Sequence, residues 1–420
     1  MAFLEKHSDR LGESYFYMTH PTGVRIYVYP KPEYEGAYAI FGANCGSVDD
    51  NFKLSDENEF TRVPAGIAHF LEHKLFENED CDAFEHYAKT GASANAYTSF
   101  DRTCYLFSCT ENFEQSFEIL LDFVQNPYFT QETVEKEQGI IGQEIKMYDD
   151  SADWRVMTNL FAALYKNHPI RLDIAGTVES ISEITADLLY RCYGAFYHPS
   201  NMVLAVAGSV DPEQVLSIAD RMLKPTKPVT LECAPADEPE EICESLVRQH
   251  LDVGIPIFNL GFKDKLGTLT AAQSVRMDIL LESIFEKWTP LYRKLMDDGL
   301  INPSFSAGYL NSRDTQTAII SGESQQPEAV RDAIYAELER LRREGIDPQD
   351  FECAKRSIYG QLVAGLASNE GIANAIADCC FSGIEIYSLL DEAAAVTLDE
   401  INEMLNERLD ISKSALSIIE

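Results

Sequence analysis

Hydrophobic and polar positions change period several times along the chain, and each change marks an element. Residues 24–29, Val-Arg-Ile-Tyr-Val-Tyr, alternate with β-rich side chains and stop at Pro30, which predicts a strand. Residues 37–43 read as a second strand, followed by a turn over Gly46-Ser47-Val48-Asp49-Asp50. From Pro64 to Glu77 the period lengthens: Ile67, Phe70, Leu71 and Leu75 recur every three to four residues, the spacing of a helix. Residues 94–98 and 103–109 pair as a hairpin around Ser99-Phe100-Asp101-Arg102. A helix with Phe113, Phe117, Leu120, Leu121 and Val124 on one face ends before Pro127, and another spans 131–148. Residues 202–207 form a strand, and 211–223 a helix with Pro212 near its start.

Residues 224–245 interrupt this patterning with Lys-Pro-Thr-Lys-Pro and then Ala-Pro-Ala-Asp-Glu-Pro-Glu-Glu. Prolines and an acidic cluster with few large apolar residues predict a linker over 227–246, between units at 1–226 and 247–420. Halves of similar size invite a search for a repeat. The segment Thr130-Gln131-Glu132 through Ile141-Gly142-Gln143-Glu144 aligns without a gap on Pro348-Gln349-Asp350 through Tyr359-Gly360-Gln361-Leu362. With the central linker, this predicts two copies of one α/β unit.

Composition narrows the function classes. The 420 residues carry 34 basic and 69 acidic side chains, a net charge of −35, which argues against nucleic acid as partner, because phosphate binding needs a basic face and the sequence shows none. Such a surface attracts basic ligands and repels acidic ones. The longest apolar runs are strand-sized, which predicts no membrane span. The amino end breaks into charge within its first residues, which predicts no signal peptide. Ten cysteines without a Cys-x-x-Cys pair read as free thiols of a reducing compartment, hence a cytoplasmic protein.

The chemistry concentrates in His69-Phe70-Leu71-Glu72-His73 on the predicted helix. Four residues make about one turn, so both imidazoles leave one face at a separation that suits a single tetrahedral zinc ion. Glu72, three residues after His69, shares that side and is placed to take a proton from water at the metal. Two histidines and a water leave zinc one ligand short, and a carboxylate on another element should supply it. Glu137 and Glu144, two helical turns apart on one face, are the candidates, one to ligate and the other to orient. His86, His168 and His198 read as structural, the last two preceding proline in loop-like contexts.

Three ordered motifs carry a resemblance: Gly66-Ile67-Ala68-His69-Phe70-Leu71-Glu72-His73, then Gly91-Ala92-Ser93-Ala94-Asn95-Ala96-Tyr97-Thr98, then Glu137 and Glu144. His168-Pro169, Gly176 and Tyr197-His198-Pro199-Ser200-Asn201-Met202 fit as well. The chain resembles the pitrilysin/insulinase family of zinc metallopeptidases along its whole length, most of all short bacterial members and the mitochondrial processing peptidase. The resemblance implies an α+β fold of two homologous α/β units, each a mostly antiparallel sheet with helices packed on one face. It implies one zinc per chain held by His69, His73 and Glu144, with Glu72 as general base and Glu137 supporting from behind. Asn95 and Ala96 match an edge strand to which extended peptide substrates add. Lys74 and Asn78 depart from the family's usual Met and Gly.

The second half lacks this equipment. No histidine follows His250, and the repeat partners of Glu137 and Glu144 are Lys355 and Leu362. In the family, the degenerate unit supplies an Arg and a Tyr seven residues apart. Here Asn302 stands where the Tyr should be, after Gly299-Leu300-Ile301, and Leu295 lies seven residues before it, which leaves Arg293 as the nearest stand-in. The implied assembly is a dimer, either with a zinc-free homologous partner chain or with a second copy. A zinc-retaining subunit without catalysis, or a maturation factor, is the alternative function.

Overall fold

The structure is a computed structural model that describes residues 2–55, 57–79, 81–227, 230–265 and 267–420; Pro228 and Val229 of the expected linker lie outside them. In chain order, the first strands are β1 (Leu4–Ser8), β2 (Glu13–Thr19), β3 (Arg25–Pro30), β4 (Ala37–Ala43), β5 (Asn51–Leu54) and β6 (Thr61–Arg62). Helices α1 (Ile67–Phe76) and α2 (Ala83–Thr90) precede the hairpin β7 (Ser93–Thr98) and β8 (Thr103–Cys109). Then come α3 (Phe113–Gln125), α4 (Gln131–Asp149), α5 (Ala152–Leu164), α6 (Val178–Ser182), α7 (Ala186–Phe196), β9 (Met202–Gly208), α8 (Pro212–Met222) and β10 (Leu231–Cys233).

One sheet has the order β1-β2-β3-β9-β4-β8-β7, with every neighbouring pair antiparallel except β3 and β9. β4 and β9 are buried along their whole length, the mark of strands covered on both faces. Helix α3 packs on β4 and β8, and α1 on β7 and β8, joined by an aromatic cluster of Phe76, Tyr105 and Phe123.

The second half repeats the plan with β11 (Leu246–Gln249), β12 (Ile257–Lys263), α9 (Ala271–Phe285), α10 (Pro290–Asp297), β13 (Ser306–Ser312), β14 (Thr315–Glu323), α11 (Pro327–Glu344), α12 (Pro348–Gly365), α13 (Asn369–Ser382) and β15 (Ser414–Ile419). Its sheet order, β11-β15-β12-β14-β13, is that of β3-β9-β4-β8-β7, including the single parallel pair at the start. The duplication read from one helix thus extends to five strands, the hairpin and the helices between them.

Two compact units result, and their bounds differ from the contiguous division expected of the chain. The first comprises residues 1–145, 173–235 and 364–383; the second comprises 146–172, 236–363 and 384–420. Each sheet receives a helix encoded in the other half: α13 packs on β9, β4 and β3, and α5 on β15, β12 and β11. Close packing makes the exchange specific. A Cβ added at Gly42 would come 3.2 Å from Phe381 of α13, and one at Gly261 would come 2.8 Å from Leu160 of α5. The helices from each sheet's own half cover one face, as expected, and the exchanged helix covers the middle of the other. The acidic stretch of the expected linker is also anchored. Glu238 accepts the backbone N–H groups of Lys166, Asn167 and His168 and pairs with Lys263 at 2.6 Å. No helix among the described residues is long and apolar enough to cross a membrane.

Candidate metal centre

The site begins with the placement of α1. Gly66, at φ 92°, precedes the helix in a conformation that a side chain would strain, and a Cβ there would meet the Ala175 carbonyl at 2.4 Å. Gly176 makes the reciprocal approach to the Ala65 carbonyl, which also accepts the Ser180 hydroxyl. The helix start is thereby pinned against a loop. Phe70, Leu71 and Leu75 fill the core from one side of α1, and His69 and His73 face each other with ring centroids 4.6 Å apart.

Helix α4 brings the carboxylates. His69 Nε2 lies 3.6 Å from Glu144 Oε1, and His73 Nε2 lies 3.4 Å from Glu144 Oε2. A tetrahedral zinc with ligand bonds near 2.1 Å separates its donors by roughly 3.4 Å, so these distances suit such an ion. His69, His73 and Glu144 form a cluster whose donor atoms all fall within 4.8 Å of one another. Glu137 Oε1 accepts from His73 Nδ1 at 3.0 Å, which assigns the proton to Nδ1 and leaves Nε2 toward Glu144. The chemistry of this set, two imidazoles and a carboxylate with a second carboxylate behind one imidazole, fits zinc.

The electrostatics run the same way. Burial and the neighbouring His73 hold His69 down at about 4, so it is a neutral, metal-ready imidazole near pH 7. Burial also opposes the charged form of His73, but hydrogen bonds to Glu137 and Glu144 outweigh it and lift His73 to about 9. Without metal, a proton on His73 thus serves as the cation between two carboxylates, and a metal must displace it. Burial raises the Glu72 carboxyl, against a lowering hydrogen bond from Thr98 and the charge of His73. That bond runs from Thr98 Oγ1 to Glu72 Oε2 at 2.5 Å.

The edge strand β7 lies beside the helix. Asn95 Oδ1 caps the Ala96 N–H at 2.9 Å. A cavity of about 560 Å³ reaches Glu72 and His73 and is walled by Phe76, Phe84, Asn95, Ala96, Glu137 and Ile140. Arg293 sits apart from these groups in sequence and element, exposed on α10 of the second unit with its charge near Asp350. Asn302 donates to Glu323 at 2.6 Å, and Tyr309 donates to Asp264 at 2.8 Å. His168 and His198 accept the N–H groups of Ile170 and Ser200 and cap short 3₁₀ turns that start at their following prolines. Sequence reasoning assigned Thr98 no role. The register of β7 puts it on the same face as Ala94 and Ala96, and that alternation was the available signal.

Among the described residues, a two-unit α+β chain with a His-His-Glu cluster beside an edge strand has the make-up of a zinc-peptidase-like protein. Residues 59–178 match the model for insulinase, peptidase family M16, and residues 183–358 match that for the peptidase M16 inactive domain. The "uncharacterized zinc protease YmfH" of Bacillus subtilis is 40% identical over 409 residues, 96% of this chain and 95% of that protein. A "probable mitochondrial-processing peptidase subunit beta" of Arabidopsis thaliana is 27% identical over 230 residues, 53% of this chain and 43% of that one. Among solved structures, a putative M16-like peptidase from Alicyclobacillus acidocaldarius superposes with a TM-score of 0.93 at 33% identity, covering 100% of this chain and 98% of that one. The chain belongs to peptidase family M16, the insulinase family.

Proposed function

We propose that the chain is a zinc-dependent endopeptidase for extended peptides, with one zinc held by His69, His73 and Glu144. The observation that carries the reading is that cluster with the Glu72 carboxylate beside it on the same helix. Zinc bound there would lower the pKa of a coordinated water toward ~7 and polarise a peptide carbonyl. The rest falls to the chain. Asn95 and Ala96 offer the edge on which a peptide adds as a further strand, the Asn95 side chain giving way to it. Glu72 accepts a proton from the attacking water and returns it to the leaving amine. Glu137 keeps His73 in one tautomer. The net charge of −35 favours basic peptides, and ten thiols fit a cytoplasmic setting.

A partner chain is part of this proposal. Asn302 is tied to Glu323 and Arg293 is exposed beside Asp350, so the second unit's own donors are committed elsewhere or weakly placed. A zinc-free homologous chain in a heterodimer supplies the missing donors; a homodimer relying on Arg293 is the alternative. The purified chain, assayed on a quenched peptide library alone and with a zinc-free homologous partner, tests the reading, and full turnover by the chain alone would defeat the heterodimer. Turnover should stop with a chelator and fall by at least ~10²-fold in Glu72→Gln at unchanged zinc content, and for basic peptides it should weaken as salt rises. Unchanged turnover in Glu72→Gln defeats the mechanism. A stoichiometric zinc content with no turnover, alone or with a homologous partner, favours the non-catalytic subunit instead.

A further inference from the structure

The Glu72 side chain reaches its working position through three rotatable bonds, and nothing in helix geometry fixes the last two. The side chain that meets it is Thr98, whose hydroxyl lies 2.5 Å from Glu72 Oε2. Thr98 is the last residue of β7, the strand that carries Asn95 and Ala96. We infer that Thr98 is a positioning residue that holds the Glu72 carboxylate by one oxygen and leaves Oε1 directed at the reacting water. The inference rests on the reading of Glu72 as general base.

Three features make Thr98 suited to this. It is β-branched, so its hydroxyl is fixed by a single stiff torsion, and it holds its partner's position rather than following it. As a donor to an ionised carboxylate, the hydroxyl makes a charge-assisted bond, the stronger kind. Its backbone is also held. Thr98 pairs with Thr103 in the ladder, and the Ser99 N–H closes the turn onto the Arg102 carbonyl at 2.8 Å. On either side, Tyr97 donates to Asn374 at 3.3 Å and Arg102 pairs with Asp378, both on α13. The exchanged helix therefore buttresses the end of the strand that touches the base.

The consequence is a shared reference. A peptide that adds to β7 takes its register from Asn95 and Ala96, and the base takes its direction from Thr98 two residues on. The base and the scissile bond are then aligned by the same strand. A misplacement of about 1 Å between reacting groups costs on the order of 10²-fold in rate, so loss of the hydroxyl should fall on kcat. Peptide binding along the strand should change little.

The test compares Thr98→Val, which keeps the shape and removes the donor, with Thr98→Ser, which keeps the donor. Zinc content and melting temperature are measured on both, kcat and KM on a quenched peptide, and the Glu72 rotamer in crystals. Thr98→Val should bind one zinc, lower kcat by ~10- to 100-fold, leave KM within about threefold and show Glu72 in a second rotamer. Thr98→Ser should restore kcat to within about threefold of the parent and keep the original rotamer. If Thr98→Val keeps kcat, or if Thr98→Ser falls as far as Val, the positioning role is wrong. If the parent chain turns over no peptide even with a zinc-free homologous partner, the base reading fails, and the rotamer comparison still decides whether Thr98 holds Glu72.

Discussion

The two units build the same crossing twice and equip it differently. In the first, α1 presents His69 and His73 four residues apart, and α4 answers with Glu137 and Glu144. In the second, α9 occupies the place of α1 in the same strand-helix-helix-hairpin order and presents Asp278 and Glu282, also four apart. Helix α12 answers with Gln361, which donates to Glu282 at 2.5 Å. Lys355, the repeat partner of Glu137, turns to the Val396 carbonyl, and Leu362, the partner of Glu144, packs against the core. The scaffold supplies two facing helices; only the side chains decide between a metal site and a hydrogen-bonded joint.

The largest effect expected from this contrast is on zinc. Glu144 faces both imidazoles, whereas Glu137 faces only the far nitrogen of His73. Glu144→Gln should lose zinc affinity by more than the ~10–100-fold that loss of a supporting hydrogen bond costs, and Glu137→Gln should fall within that range. Zinc titration of the apo chain reads both. Equal losses, or a larger one at Glu137, would reverse the assignment of ligand and support.

A second difference concerns how each unit buries a lysine. Lys263 and Glu238 are both buried, and the lysine also donates to the carbonyls of Pro239 and Glu241. Lys74 is fully buried too, but its partner Glu77 keeps 29% of its side chain exposed. Removing one member of an enclosed pair leaves a charge without compensation, which costs about 3–5 kcal/mol. Lys263→Met should therefore lower stability to urea by roughly 3 kcal/mol, since the backbone donors to Glu238 remain. Lys74→Met, which installs the residue common in the family, should cost less than about 1 kcal/mol, because Glu77 can turn to water. Similar losses in the two variants would mean that partner exposure does not set the cost.

Legibility in the sequence followed how local the cause was. Strand β4 and helix α4 fall within a residue of their expected bounds, because period and flanking turns define them. The candidate metal ligands were readable for the same reason, since His69 and His73 are spaced by one helical turn and Glu137 and Glu144 by two. Spacing left open which carboxylate faces both imidazoles, and only the family resemblance pointed to Glu144. The exchange of α5 and α13 was not readable. An amphipathic helix announces that it needs an apolar surface, and both sheets offer one of the same design. Gly42 and Gly261 admit particular partners only once the fold brings Phe381 and Leu160 to them. Thr98 escaped notice because a threonine ending a strand is ordinary, and its partner lies 26 residues away on another element.

The smallest expected effect tests what the second crossing costs. Burial, with the charge of Glu282 beside it, lifts the Asp278 carboxyl to about 7. In the unfolded chain the same group titrates near ~3.9. Between those values the folded protein keeps a proton that the unfolded chain has released, so stability falls as pH rises through this window and levels off above it. Asp278→Asn has no such proton to keep. Its stability relative to the parent should rise from about pH 4 to pH 7 and then stay constant. The limiting slope is ~1.4 kcal/mol per pH unit, but Asp278 is only partly buried by surface, so the total should reach roughly 1–2 kcal/mol. Paired urea titrations at pH 4.5 and pH 8 measure it, with a chelator present for both proteins so that His69 and His73 contribute equally. Parallel curves would show that the second crossing carries no buried-carboxyl penalty, and that its Asp278–Glu282 pair is solvated as any surface pair would be.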